Sequence, residues 1–129
     1  MGVYHINNKA VFLDRDGVLN RSLVRNGLPI SPNSLDLFEI IPEAKESLNL
    51  LKKKGLLLIV VTNQPDVGRG IVKREIVEKM HTHLLNHLPL DYIYVCWHGY
   101  DGECMCRKPL PGMLNQAVED FQIDLKKSF

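Results

Sequence analysis

The sequence predicts an α/β domain built on a parallel sheet, and three observations carry that expectation. Three short apolar runs, Ala10-Val11-Phe12-Leu13, Leu56 to Val61 and Tyr92-Ile93-Tyr94-Val95, read continuously rather than in alternation, as strands buried on both faces do. A helical apolar pattern follows each run. Each run also leads directly into polar residues, at Asp14, Thr62 and Cys96, and open parallel sheets bind ligands beyond the carboxyl ends of their strands.

The helices follow from periodicity. Ile41, Ala44, Leu48 and Leu51 keep helical spacing, with Pro42 suited to a first turn and Gly55 to a stop. From Lys73 to about Leu88, the residues Ile76, Val77, Met80, Leu84 and Leu85 trace a second stripe. Met113, Leu114, Ala117, Val118 and Phe121 predict a third helix from Gly112 to about Phe121. Strand and helix then alternate three times, which calls for right-handed crossovers. Residues 21–40, with Pro29, Pro32, Asn33 and Ser34, read as one long loop over the polar edge.

Length and charge bound the function. A chain of 129 residues is one domain, residues 1–129, able to bury roughly two-thirds of its unfolded surface. A net charge of +1, with no Lys/Arg stripe, argues against a nucleic-acid or anionic-membrane partner. The longest apolar run is too short to span a bilayer. Met1-Gly2-Val3-Tyr4-His5 does not read as a secretory signal, and Ile6 stands where a myristoylation motif carries Ser or Thr. The expectation is a cytoplasmic protein. Cys96, Cys104 and Cys106 fall within eleven residues, an odd, clustered set that reads as a metal site rather than a disulfide framework.

The strand ends carry the chemistry. In Asp14-Arg15-Asp16-Gly17 one carboxylate can attack phosphorus while the other gives a proton to the departing oxygen and later takes one from water. An ordinary Asp-Gly turn would use the same residues. Thr62-Asn63-Gln64 can donate hydrogen bonds to phosphate oxygens, or cap a helix. Gly68-Arg69-Gly70 adds flexible backbone and a guanidinium suited to an anion. Arg107-Lys108-Pro109 offers the fixed positive charge that phosphoryl transfer needs, on a chain that proline keeps extended. His81, His83 and His87 read as solvated or capping histidines on an amphipathic helix, not as a metal site.

Asp14-x-Asp16-Gly17, Thr62-Asn63-Gln64 and Cys106-Arg107-Lys108-Pro109 together resemble, in order and spacing, the motifs of the haloacid dehalogenase (HAD) superfamily. The resemblance covers essentially the whole chain. It is closest to the branch that holds the D-glycero-D-manno-heptose 1,7-bisphosphate phosphatases and the histidinol-phosphatase domain. It implies a HAD-like, Rossmann-like core without a large cap domain, and a phosphatase that works through an aspartyl-phosphate. By this resemblance Asp14 is the nucleophile and Asp16 the general acid/base, with Thr62 and Lys108 steadying the phosphoryl group. Ser22, Leu23, Val24, Arg25, Asn63, Gln64 and Arg107 would meet a small phosphorylated metabolite. Mg²⁺ would be held by Asp14 and the backbone carbonyl of Asp16. Cys96, His98, Cys104 and Cys106 form a complete tetrahedral set for a structural Zn²⁺, pinning the loop that carries Arg107 and Lys108; Gly99, Asp101 and Gly102 between them suit that loop.

The resemblance also implies a fourth motif, Gly-Asp with a further acid, on a strand after the third helix; no such motif stands before Phe129. That predicts a core truncated before its last metal-binding acids, with the Ala10–Leu13 strand left as an unpaired edge in a monomer or an edge-strand-paired dimer. Pro111-Gly112-Met113-Leu114 and the Asn63-Gln64…Gly68-Arg69-Gly70 stretch favour a heptose bisphosphate as substrate. The five-residue gap between His98 and Cys104 favours histidinol phosphate. A catalytically inactive, zinc-stabilised binding module is the reading from a different class. A zinc-ribbon nucleic-acid binder fits the charge balance poorly.

Overall fold

The computed structural model describes residues 8–100 and 103–129. Met1 to Ile6, and Asp101 and Gly102 in the cysteine loop, lie outside the described residues. Three strands, β1 (Ala10–Leu13), β4 (Leu57–Asn63) and β5 (Tyr92–Cys96), form a parallel sheet in the order β1-β4-β5. The register pairs Leu13 with Val60, and Thr62 with Val95. The ends of all three strands therefore open on one edge.

The central strand β4 explains its own composition. Leu58 and Val60 turn to one face, where α1 (Ala44–Lys53) and α3 (Arg74–His87) supply Leu48, Met80 and Leu84. Ile59 and Val61 turn to the other, against Met113 and Ala117 of α4 (Gly112–Phe121). Both faces are dry, so every side chain from Leu58 to Val61 is apolar. Each such burial is worth about 1.5–3 kcal/mol. Pro42 falls in a turn just ahead of α1 rather than inside it. Gly55, at φ +80, supplies the left-handed residue that ends α1, its N–H reaching the Lys52 carbonyl at 2.9 Å.

Two expectations are corrected. Residues 21–40 are not one loop. They contain an antiparallel hairpin of β2 (Leu23–Arg25) and β3 (Leu28–Ile30) and a 3-10 turn at Leu35–Leu37. The hairpin turns at Asn26-Gly27, both at positive φ (52 and 76), as a two-residue hairpin loop requires. An Asn20–Ile40 bridge closes the segment at its base. The outer edge of β1 is not bare either. The N–H of Ala10 donates to Ser128 Oγ at 3.0 Å and that of Phe12 to the Phe129 carbonyl at 2.8 Å. Phe129 N–H returns a bond to Ala10, and Ile123, 1% exposed, bridges Asn8. The C-terminal segment satisfies the groups on which edge pairing between two copies was premised. No described helix is long and apolar enough to cross a membrane.

Candidate active site and metal centre

The chain leaves β1 at Asp14 and turns at once. The Arg15 carbonyl accepts from the N–H groups of Val18, Leu19 and Asn20, at 3.2, 2.8 and 3.3 Å, and Gly17 takes φ +84. This turn gives the two carboxylates different surroundings. Asp14 stays 60% exposed, with the Lys108 ammonium on its Oδ1. Asp16 turns inward and accepts from four donors: Arg15 Nη2 at 2.6 Å and Asn20 Nδ2 at 3.0 Å on Oδ1, Ser31 Oγ at 2.9 Å and Gln64 Nε2 at 3.1 Å on Oδ2. Burial alone would raise its pKa. The charge of Arg15 and the bonds from Asn20, Arg15 and Ser31 outweigh burial and hold the carboxyl below its usual range.

The end of β4 braces this arrangement. Gln64, 4% exposed, also donates to Thr62 Oγ1 at 2.9 Å, so one amide joins Thr62 to Asp16. Asn63 does not project as a free donor. Its Oδ1 accepts from Lys108 N–H at 3.0 Å and its Nδ2 donates to the Lys108 carbonyl at 3.3 Å, fixing the lysine backbone. Arg107–Leu110 is a turn with a cis Lys108–Pro109 bond, closed by Leu110 N–H on the Arg107 carbonyl at 2.8 Å, not the extended segment expected from the proline.

Beside these groups opens a cavity of about 510 Å³, onto which Arg25, Arg69 and Arg107 converge. The Tyr100 ring lies between two of them, 5.8 Å from the Arg69 guanidinium carbon and 5.9 Å from that of Arg107. Asp66 lines the cavity too and pairs with Arg69 at 3.2 Å; three guanidinium groups against that carboxylate still leave a lining suited to an anionic ligand. Of the segment Ser22–Arg25, only Arg25 reaches this cavity. Val24 is 76% exposed, and Ser22 packs under Gly17.

Sequence reasoning missed Ser31 and Asn20 as partners of Asp16, and it misread His81. That histidine is 7% exposed, neither solvated nor capping, and its Nε2 lies 3.2 Å from Arg15 Nη1. Burial first, and the Arg15 charge second, lower its pKa to about 4. The ring is neutral and accepts from the guanidinium. The His83 and His87 rings lie 4.2 Å apart, tilted by 48°, on the exposed side of α3, and His87 bonds the His83 carbonyl. The Asn20 spacing was legible within the motif; Ser31, fifteen residues away across a hairpin, carried no local signal.

The cysteine loop leaves β5. Ligand atoms of Cys96, His98, Cys104 and Cys106 all lie within 4.8 Å of one another. Cys96 Sγ is 3.5 Å from His98 Nδ1 and 3.7 Å from Cys104 Sγ, and His98 Nδ1 is 3.2 Å from Cys106 Sγ. Three thiols so close cannot all ionise unaided. Burial opposes ionisation of Cys104, yet the Arg107 N–H and the neighbouring sulfurs draw it to about 6; Cys106 is pushed to about 12 by burial and by Cys96 and Cys104. A divalent cation would let all three ionise, and three sulfurs with one nitrogen fit tetrahedral zinc. For Mg²⁺, the fit is the exposed Asp14 carboxylate with the Asp16 carbonyl, since Mg²⁺ is commonly held by one or two carboxylates, with phosphate and water supplying the rest.

Glycines fasten the loop to the fold. A side chain on Gly68, in α2 (Pro65–Gly68), would stand 2.6 Å from the Trp97 carbonyl and 2.8 Å from His98 C. One on Gly112 would stand 2.7 Å from Met105 C. The sequence suggests flexibility at Gly68; the structure uses it for close backbone approach.

A parallel three-stranded sheet with helices on both faces, and an Asp-x-Asp turn and a lysine at the strand ends, defines a HAD-like phosphatase core. Residues 9–129 match the family described as Polynucleotide kinase 3 phosphatase, and the chain belongs to that family. It is 39% identical, over 94% of its length and 68% of the relative's, to D-glycero-beta-D-manno-heptose-1,7-bisphosphate 7-phosphatase of Pasteurella multocida (strain Pm70). It is 38% identical to the enzyme of the same name from Haemophilus influenzae, again over 94% of this chain and 68% of the relative. Among solved structures, D,D-heptose 1.7-bisphosphate phosphatase from B. bronchiseptica, complexed with magnesium and phosphate, superposes with TM-score 0.74 at 28% identity. The match covers 92% of this chain and 65% of that one. The resemblance drawn from the motifs is borne out.

Proposed function

We propose that the chain is a Mg²⁺-dependent phosphoric monoester hydrolase whose substrate is a small sugar phosphate, D-glycero-D-manno-heptose 1,7-bisphosphate before histidinol phosphate. The observation that carries this reading is the exposed Asp14 carboxylate paired with Lys108 at the strand ends, with Asp16 two residues on. Asp14 attacks phosphorus, the bond from phosphorus to the sugar oxygen breaks, and an aspartyl-phosphate forms. Asp16 gives the departing oxygen its proton, then takes one from the water that releases phosphate. In the free protein Asp16 is held as the anion. An incoming phosphate dianion raises its pKa and so favours the acid form. Lys108 holds charge against the transferring oxygens, and Arg25, Arg69 and Arg107 suit the substrate's other anionic group. Bound Mg²⁺ would neutralise charge on those same oxygens, and Zn²⁺ would be structural. The similarity to heptose-bisphosphate phosphatases over most of the chain supports the sugar substrate.

The test is phosphate release, with Mg²⁺, from heptose 1,7-bisphosphate, histidinol phosphate and a 3′-phosphorylated oligonucleotide. The oligonucleotide is included because of the family's description. The expected result is release from the heptose bisphosphate first, and at least a ~1000-fold loss in Asp14→Asn. Equal turnover in that variant removes Asp14 as nucleophile. Silence on every substrate leaves the inactive, zinc-stabilised module as the reading.

A further inference from the structure

We propose that Arg15 and His81 act as positioning residues, locking the Asp16 carboxylate in the attitude from which it exchanges a proton with the substrate; this rests on the phosphatase reading above. Arg15 sits between the two carboxylates in sequence, yet its side chain points away from the cavity and is 1% exposed. Nothing about substrate contact explains a buried guanidinium there. Its fork is divided between two tasks. Nη2 donates to Asp16 Oδ1 at 2.6 Å, while Nη1 reaches His81 Nε2 at 3.2 Å and Met80 Sδ at 3.8 Å. The Phe38 ring lies 5.4 Å from the guanidinium carbon.

The chemistry of this cluster is directional. Among the described contacts of Arg15, only Asp16 bears a compensating charge, and a buried charge must be paired. Its planar fork cannot swing toward Asp16 or away from it without abandoning the acceptor on α3. The cluster thus ties the position of α3, whose side chains do not line the cavity, to the orientation of a carboxylate at the strand ends. Ser31 and Gln64 hold the other oxygen, Oδ2, and Asn20 shares Oδ1 with Arg15; of these donors Arg15 is the one that also bonds a side chain on α3. A lysine would not serve, because an ammonium is a compact charge without a rigid fork.

The experiment compares His81→Leu with His81→Gln, whose amide oxygen can accept in place of Nε2. Two substrates are used: an alkyl sugar phosphate, whose leaving oxygen needs a proton, and p-nitrophenyl phosphate, whose leaving group needs little. The rate read is single-turnover release of the leaving group, because hydrolysis of the aspartyl-phosphate is common to both substrates and needs Asp16 as base in each. In that step His81→Leu is expected to lose about 30-fold on the sugar phosphate, within the range of general acid catalysis, and under about threefold on p-nitrophenyl phosphate. His81→Gln is expected to return to within about threefold of the parent. A crystal structure of His81→Leu is expected to show Asp16 turned off at least one of its donors. Equal losses on the two substrates, no loss, no rescue by glutamine, or an unmoved Asp16 would each overturn the proposal. A parent silent on both phosphates sinks the phosphatase reading instead, and the position of Asp16 in the variant structure then decides the relay by itself.

Discussion

The strand-end carboxylates and the cysteine loop are held in opposite ways. Asp16 is fixed by protein alone, through Arg15, Asn20, Ser31 and Gln64 drawn from three separate stretches of the fold. The cysteine loop contains no strand or helix from His98 to Pro111 among its described residues. It depends on four ligand atoms gathered in one place and on backbone pressed against Gly68 and Gly112. One region is held because both oxygens of its carboxylate have donors, although Arg15 Nε and Asn20 Oδ1 stay buried without a partner; the other is held when a cation compensates its thiols. Lys108 belongs to both, since it follows the last cysteine by two residues and ends on Asp14. Metal content and phosphate chemistry are therefore expected to move together.

Removing the metal breaks the comparison most severely. Metal analysis is expected to find about one zinc per chain, and Cys106→Ser to lose it. Melting temperature and phosphate release should then both fall, the latter by at least about tenfold, as is typical where the surroundings of a metal site are disturbed. A zinc-free protein of equal stability and activity would remove the cation from the account. Gly68→Ala tests the close approach without touching a ligand. The added methyl meets backbone at Trp97 and His98, which cannot yield as a side chain can, so a loss of about 1–3 kcal/mol in denaturant unfolding is expected. An unchanged midpoint would mean the loop shifts freely.

The smallest effect is expected on the protein-held side, and it concerns pH. His81 has a folded pKa of about 4 against an ordinary 6.5, so the unfolded chain binds the extra proton between those values. Stability from this group is complete above pH 6.5 and is lost as pH falls toward 4. His81→Gln should flatten that part of the acid limb in urea titrations at successive pH values. A variant with the parent's slope would show that the ring is not buried neutral.

How much was legible follows from the range of each interaction. The strands at Ala10–Leu13 and Tyr92–Cys96 and the three long helices could be read because burial on both faces, or on one stripe, is written into consecutive residues. The hairpin at Leu23–Ile30 was overlooked, although Asn26-Gly27 announces it, because three-residue strands leave little pattern. The positions of Asp14, Thr62 and Cys96 at strand ends were legible because each directly follows an apolar run, and the Cys/His set because its spacing is local; the roles of Asp14, Asp16, Thr62 and Lys108 stand as proposals.

By itself the sequence determined the α/β class, the polar strand ends and the three thiols with one imidazole that could hold zinc, since each depends on residue type within a short window. Only the tertiary structure decided that Asp14 is open while Asp16 is enclosed, that Asn63 braces Lys108, and that His81 lies against Arg15. It also decided that the C-terminal segment covers β1. The physical reason is common to all four. A hydrogen bond acts over about 3 Å, and which groups come that close across fifteen to more than a hundred residues depends on how the helices pack and where each turn sends the chain.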